Sequence, residues 1–167
     1  MATGRHNKLV GQAGEYLVAS ELSRRGMIAT TFTGNVPHYD IIASNEEGRH
    51  LSIQVKTISG SAWQFARIDN YVEIRFEDRA QIVGKIHPSP VENLIYVFVK
   101  LAEYGSDRFF ICTWSELCNV LSQHHSDYLA NHGGERPKRW DSLHAAISVT
   151  HISHFEDRWD LIEGLLT

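Results

Sequence analysis

Two short stretches, Pro37-His38-Tyr39-Asp40 and Leu51-Ser52-Ile53-Gln54-Val55-Lys56-Thr57, decide how this chain folds. The second alternates strictly in polarity, so as a strand it puts Ser52, Gln54 and Lys56 on one face and Leu51, Ile53 and Val55 on the other. Tyr39-Asp40-Ile41-Ile42-Ala43-Ser44 reads as a preceding strand that begins at the acid. Asn45-Glu46-Glu47-Gly48-Arg49 is the polar, glycine-containing loop of a hairpin between the two. Such a hairpin brings the Asp40 carboxylate close to Gln54, and Lys56 shares the Gln54 face. A carboxylate, an amide and an amine set out in this way suit metal-dependent cleavage of a phosphodiester.

The rest of the composition allows that chemistry. At 167 residues, with 43% hydrophobic and 22% charged residues, the chain is expected to be one compact domain spanning residues 1–167 with a sizeable core. No apolar run approaches the ~20 residues needed to span a bilayer, so no membrane partner is expected. Met1 to Lys8 is polar and unlike a signal peptide, which gives a cytoplasmic expectation. Cys112 and Cys118 flank a strand-to-helix junction without CxxC spacing and read as buried thiols. The formal charge of −4 argues against a general DNA coat, but not against an enzyme whose acidic site is neutralised by bound cations. Basic residues gather at Arg24-Arg25 and at Arg136-Pro137-Lys138-Arg139, with Lys85 and His87 between them, and the plain reading of each cluster is a solvated surface.

Along the chain, helical spacing runs from about Lys8 to Arg25 with Val10, Ala13, Leu17, Val18 and Leu22 on a stripe, and Gly26 is placed as the stop. Glu15 sits at the border of that stripe. Gly11 and Gly14 cost about 1 kcal/mol each inside a helix relative to Ala, which implies close packing of this helix on something. Met27 to Phe32 reads as a strand ahead of the two already described. Beyond them, Tyr71 to Phe76 alternates as a strand, and Asn93 to Lys100 is a near-continuous apolar run suited to a central strand covered on both faces, with Arg108 to Cys112 as its hairpin partner. Ser115 and Glu116 read as the cap and first turn of a helix, and the loop around Gly133-Gly134 as the most mobile element. A short apolar stretch at Ala146 to Val149 precedes a last helix from about Glu156 to Leu166, with Trp159, Ile162 and Leu166 on its apolar face.

Gly11-Gln12-Ala13-Gly14-Glu15 in the first helix, then Pro37 to Asp40, then Gln54-Val55-Lys56, resemble the PD-(D/E)XK nuclease superfamily. The flavour is that of archaeal Holliday-junction resolvases, with a Gln variant similar to that of bacterial group I intron homing endonucleases. The resemblance covers about residues 8 to 60. It implies an α/β restriction-endonuclease-like core, a central mixed sheet flanked by helices in α-β-β-β-α-β order. It further implies a DNA endonuclease in which Glu15, Asp40 and Gln54 hold Mg²⁺ or Mn²⁺, with the Val55 carbonyl as a further ligand and Lys56 beside the attacking water. A homodimer would match the two-fold symmetry of a DNA duplex or junction. Oxygen donors of these types do suit Mg²⁺.

Gln54 stands where the family pattern usually has an acid, so the site carries one negative charge fewer and should hold metal less tightly. Two readings stay open: a working Gln-variant endonuclease, or a weak or inactive nuclease-fold module that binds nucleic acid or a protein partner. Each residue also has a plainer role, Asp40 as a turn cap, Gln54 and Lys56 as exposed strand residues, Glu15 as a solvated helix residue. Among the ten histidines, His124-His125, His132, His144, His151 and His154 crowd the C-terminal half without a tight metal-binding spacing, and His38 is set apart by its nearness to Asp40. Of the four tryptophans, Trp63 in the stretch after Lys56 is the candidate substrate contact.

Overall fold

A computed structural model describes residues 4–167 apart from Thr33 and Asn35. The first helix, α1 (Gly4–Arg24), ends where glycine requires it. Gly26 takes a φ of 83°, its N–H donates to the Ser23 carbonyl (3.0 Å), and the Met27 N–H reaches back to Leu22 (3.1 Å). These bonds satisfy the last free carbonyls of the helix, and Met27 and Leu22 join the same core. Three antiparallel strands follow: β1 (Ile28–Thr31), β2 (Ile41–Ser44) and β3 (His50–Ile58). Next come β4 (Ala62–Phe65), β5 (Val72–Glu77) and β6 (Ala80–Ile86), then β7 (Ile95–Lys100), β8 (Arg108–Thr113) and α2 (Trp114–Ala130). The chain closes with β9 (Ala145–Ser148), α3 (Val149–Ile152) and α4 (Trp159–Leu166).

These elements form two compact units interleaved in sequence, so no single linker separates them. The first contains the chain through Ser61, with Ser89–Trp114 and Ser153–Thr167; the second contains Ala62–Pro88 and Ser115–Ile152. The first unit is a five-stranded sheet in the order β1-β2-β3-β7-β8, antiparallel throughout except that β3 and β7 run parallel. This is a central mixed sheet flanked by helices. Leu51, Ile53 and Val55 of β3 enter one core with Ile95, Val97 and Val99 of β7, Val18 and Leu22 of α1, and Trp159, Ile162 and Leu166 of α4. On the other face of β7, Tyr96 and Phe98 are also buried and stack at 6.0 Å, as a run apolar on both faces requires.

The α-β-β-β beginning is therefore present, but the next core strand is reached differently. Between β3 and β7 the chain holds three strands and a single 3₁₀ turn at Ile68–Asn70, and its next α-helix comes after β8. The alternation of Val72, Ile74 and Phe76 against Glu73 and Arg75 makes a strand of this region instead. It pairs with β6 in a hairpin whose tight turn sets Asp78 at a φ of 54°. Elsewhere in the second unit β4 pairs antiparallel with β9. Trp63, the expected substrate contact, lies within β4 and is 2% exposed, so it is a packing residue. Gln81 of β6 anchors the chain on either side of the Lys138-Arg139 pair: its N–H donates to the Gly134 carbonyl (3.0 Å), and its buried amide donates to the carbonyls of Trp140 (2.6 Å) and Ser142 (3.0 Å). Cys112 and Cys118 are both buried free thiols. Among the described residues no helix is long and apolar enough to cross a membrane.

Candidate functional site

The hairpin register places the first group of site residues. Ile41 of β2 lies opposite Ile53 of β3, and the Asp40 N–H extends the ladder by donating to the Ile53 carbonyl at 2.8 Å. Asp40 therefore arrives beside the Gln54-Val55 peptide. Its Oδ2 accepts one bond from the Val55 N–H (2.8 Å) and a second, short one from the Gln54 Nε2. The same Nε2 donates to the Val55 carbonyl at 3.3 Å. The approach to Asp40 turns through His38, whose φ is 75° and whose side chain is exposed.

Glu15 arrives from α1, and Gly14 determines how close that helix comes. A Cβ added at Gly14 would lie 1.8 Å from Thr57 Oγ1 and 2.8 Å from Thr57 Cβ, so helix backbone rests directly on the β3 side chain. Residue 15 is thereby held where its carboxylate and that of Asp40 repel each other. Both carboxylates line an open cleft of about 440 Å³, shared with Lys8, Gln12, Phe32 and Tyr39. Lys8, Gly11, Gln12 and Glu15 recur at intervals of three and four along one face of α1, so this wall of the cleft was readable from helical spacing although Lys8 and Gln12 were not singled out.

The electrostatics of the group are those of a site short of positive charge. Burial raises the Glu15 pKa, and the nearby Asp40 charge adds to that effect. Burial also raises the Asp40 pKa, against the opposing pull of the Val55 N–H and the Lys56 ammonium. Burial lowers the Lys56 pKa, with Asp40 again opposing. The folded chain thus penalises all three ions, and an added cation would favour both carboxylates at once.

The donor set fits a hard divalent ion. The Asp40 carboxylate and the Val55 carbonyl both point at one atom, the Gln54 amide nitrogen, whose N–H groups satisfy them. Turning that amide over would replace the nitrogen by its oxygen, adding a third oxygen donor. Glu15 offers a fourth from across the cleft. Oxygen-only donors with room for water match Mg²⁺ or Mn²⁺ rather than zinc. Among the described residues no three His, Cys, Asp or Glu side chains are grouped to hold a metal, because two of these donors are an amide and a backbone carbonyl.

The architecture has a solved counterpart. Its fold is similar to that of a bacterial homing endonuclease, I-Ssp6803I. The superposition has a TM-score of 0.51 and covers 93% of this chain and 91% of that one at 13% identity. At that identity the likeness is one of fold. No protein-family model and no curated protein matches the sequence.

Of the residues expected at the site, Asp40, Gln54 and Val55 are joined by hydrogen bonds, while Glu15 and Lys56 are coupled to Asp40 through their charges. The dull alternative for Asp40, a turn cap, does not account for its bonds to Gln54 and Val55 one strand away. His38 does not line the cleft among the described residues.

Proposed function

We propose that this protein is a PD-(D/E)XK-type endonuclease that hydrolyses DNA phosphodiesters with a bound Mg²⁺ or Mn²⁺. One observation carries the proposal: Asp40 and the Val55 carbonyl converge on a single point beside a second repelling carboxylate, Glu15, and a desolvated lysine. The likeness of fold to an endonuclease supports it.

In this arrangement Asp40, Glu15, the Val55 carbonyl and the turned Gln54 amide would hold the ion. When bound, the ion would acidify a water and balance the charge that builds on the phosphate. Asp40 is positioned by the Val55 N–H and lines the cleft. Lys56, its ammonium destabilised by burial, is suited to orient a water through hydrogen bonds beside the phosphate. Lys8 and Gln12 on the cleft wall offer an ammonium and an amide to the phosphates that flank the scissile bond.

A specific observation favours a second reading. The Gln54 N–H groups already satisfy Asp40 and Val55, as an internal substitute for a cation, and a site content in that state would bind DNA without cutting it. The two are separated by incubating the protein with duplex, single-stranded and branched DNA, and with RNA, in Mg²⁺ or Mn²⁺. The Lys56→Ala and Asp40→Ala variants and a Mn²⁺ titration run alongside. Cleavage of DNA by wild type, lost in both variants, is expected. Intact substrates throughout, with no Mn²⁺ binding, would sink the endonuclease proposal.

A further inference from the structure

The second unit contains a group of cationic and imidazole side chains that the cleavage chemistry does not use. A cavity of about 200 Å³ is walled by His124, His125 and Tyr128 of α2, by Arg136, and by His144 with the start of β9. Among the described residues no Asp or Glu lines it, although the Asp127 charge acts on His124. With about 30 Å³ per water molecule, it has room for a phosphate group and its ester link rather than a whole nucleotide.

Arg136 is built into this cavity. Its Nη1 donates to the His144 carbonyl at 2.8 Å, and its guanidinium lies over the Tyr128 ring at 5.1 Å. Those contacts fix the group while leaving N–H donors for a ligand. Three other arginines of the same unit are matched by acids, Arg67 by Asp69, Arg79 by Glu135 at 2.6 Å and Arg139 by Asp141 at 3.5 Å, whereas Arg75 on β5 lines no part of this cavity. Among the described residues Arg136 has no carboxylate partner, and neither has Lys138, two residues on. The His144 ring is exposed and makes no hydrogen bond among the described residues, so a ring N–H is available to an acceptor.

His125 serves as the rigid floor. The Gln81 amide donates both N–H groups to carbonyls, so its Oε1 must accept, and the bond of 2.9 Å to His125 Nε2 makes that nitrogen the donor. A neutral imidazole is what burial there demands. An uncompensated guanidinium, a free imidazole and an acid-free wall are together an oxyanion receptor.

We infer that this cavity binds a phosphate group presented by a polynucleotide, with Arg136 and His144 donating to its oxygens and Lys138 flanking the chain. The group can come from a chain end or from an internal diester, and free phosphate shares the same chemistry. The site shares no residue with the Asp40 group, and binding in EDTA tests it whether or not the protein cuts DNA.

The experiment is fluorescence anisotropy of full-length protein in EDTA with labelled single-stranded oligonucleotides carrying a 5′-phosphate, a 3′-phosphate or neither, with inorganic phosphate as competitor. Arg136→Gln should weaken binding about tenfold, the effect of losing a charge-assisted hydrogen bond to a phosphate oxygen. His144→Ala, which removes an exposed ring and should leave the fold intact, should weaken it about threefold. Arg79→Gln makes the same charge change at an ion-paired position and should stay within about twofold of wild type. Preference for one phosphorylated end, or competition by inorganic phosphate, identifies a monoester ligand; equal loss for all three oligonucleotides identifies an internal diester. Binding that is the same in wild type, Arg136→Gln and His144→Ala, or that falls equally in Arg79→Gln, overturns the inference.

Discussion

Gly14→Ala is the substitution whose consequence follows most directly from geometry. The new Cβ would meet Thr57 Oγ1 at 1.8 Å, and Thr57 Cβ and Cγ2 at 2.8 Å each. Rotating Thr57 moves the hydroxyl aside but cannot move its Cβ, so helix and strand must part by roughly 1 Å to reach an ordinary carbon contact. Overpacking of this kind costs about 3 kcal/mol, and the better helix propensity of alanine returns about 1 kcal/mol, leaving a net loss of about 2 kcal/mol. For a chain of this size that lowers Tm by roughly 4–8 °C. Gly11 lies one turn earlier on the same helix with nothing within 4 Å of its added Cβ. Gly11→Ala therefore collects only the propensity gain, about 1 kcal/mol of stabilisation. Thermal and urea unfolding of both variants gives the comparison, and Thr57→Gly combined with Gly14→Ala should recover most of the loss. If the two alanines shift stability in the same direction, the close approach of α1 to β3 is wrong, and with it the placement of Glu15. A parting of roughly 1 Å would also carry Glu15 away from Asp40, and the proposed cleavage would then fall about a hundredfold.

Gln54→Glu adds a negative charge beside Asp40; Mn²⁺ affinity measured calorimetrically should rise about tenfold, and an unchanged or weaker affinity would remove Gln54 from the proposed ligand set. His125 supplies a pH test. Burial, helped by the nearby Arg136 and His124 charges, lowers its pKa from 6.5 to about 4, so the unfolded chain binds its proton more readily. The stability it contributes is complete above pH 6.5 and lost as pH falls toward 4, about 3 kcal/mol in all for those values. Urea unfolding between pH 7.5 and pH 4.5, followed by tryptophan emission, should show this slope in wild type and a shallower one in His125→Gln; parallel slopes would exclude His125 as its source.

The first unit was legible because its signals are local. The Gly26 stop, the alternation of Leu51 to Thr57 and the doubly apolar run at Ile95 to Val99 each declare an element without reference to the rest of the chain. Asp40 and Gln54 could be paired for the same reason, since a short hairpin connects them. The second unit depends on distant partners. Strands β4 and β9 have four residues each and meet as Ala62 opposite Ser148, too short to show a period and too far apart to be matched by eye. Trp63 reads as exposed only while that pairing, which places it opposite Ile147, is unseen. The Gln81–His125 bond links residues with no shared pattern, and the role of Arg136 emerges only once His144 and Tyr128 stand beside it.

The parallel pairing of β3 with β7 has a consequence for how the molecule is made. Glu15, Asp40, Gln54 and Lys56 all precede Ile58, within one local helix and meander, whereas the strand that covers the inner edge of β3 begins only at Ile95. During synthesis the charged group can assemble while β3 is still a sheet margin with unpaired backbone, and closure waits for a loop with an unfavourable entropy to be drawn in. Until β7 docks, the strand that carries Gln54 and Lys56 is therefore an unpaired edge open to association with other chains.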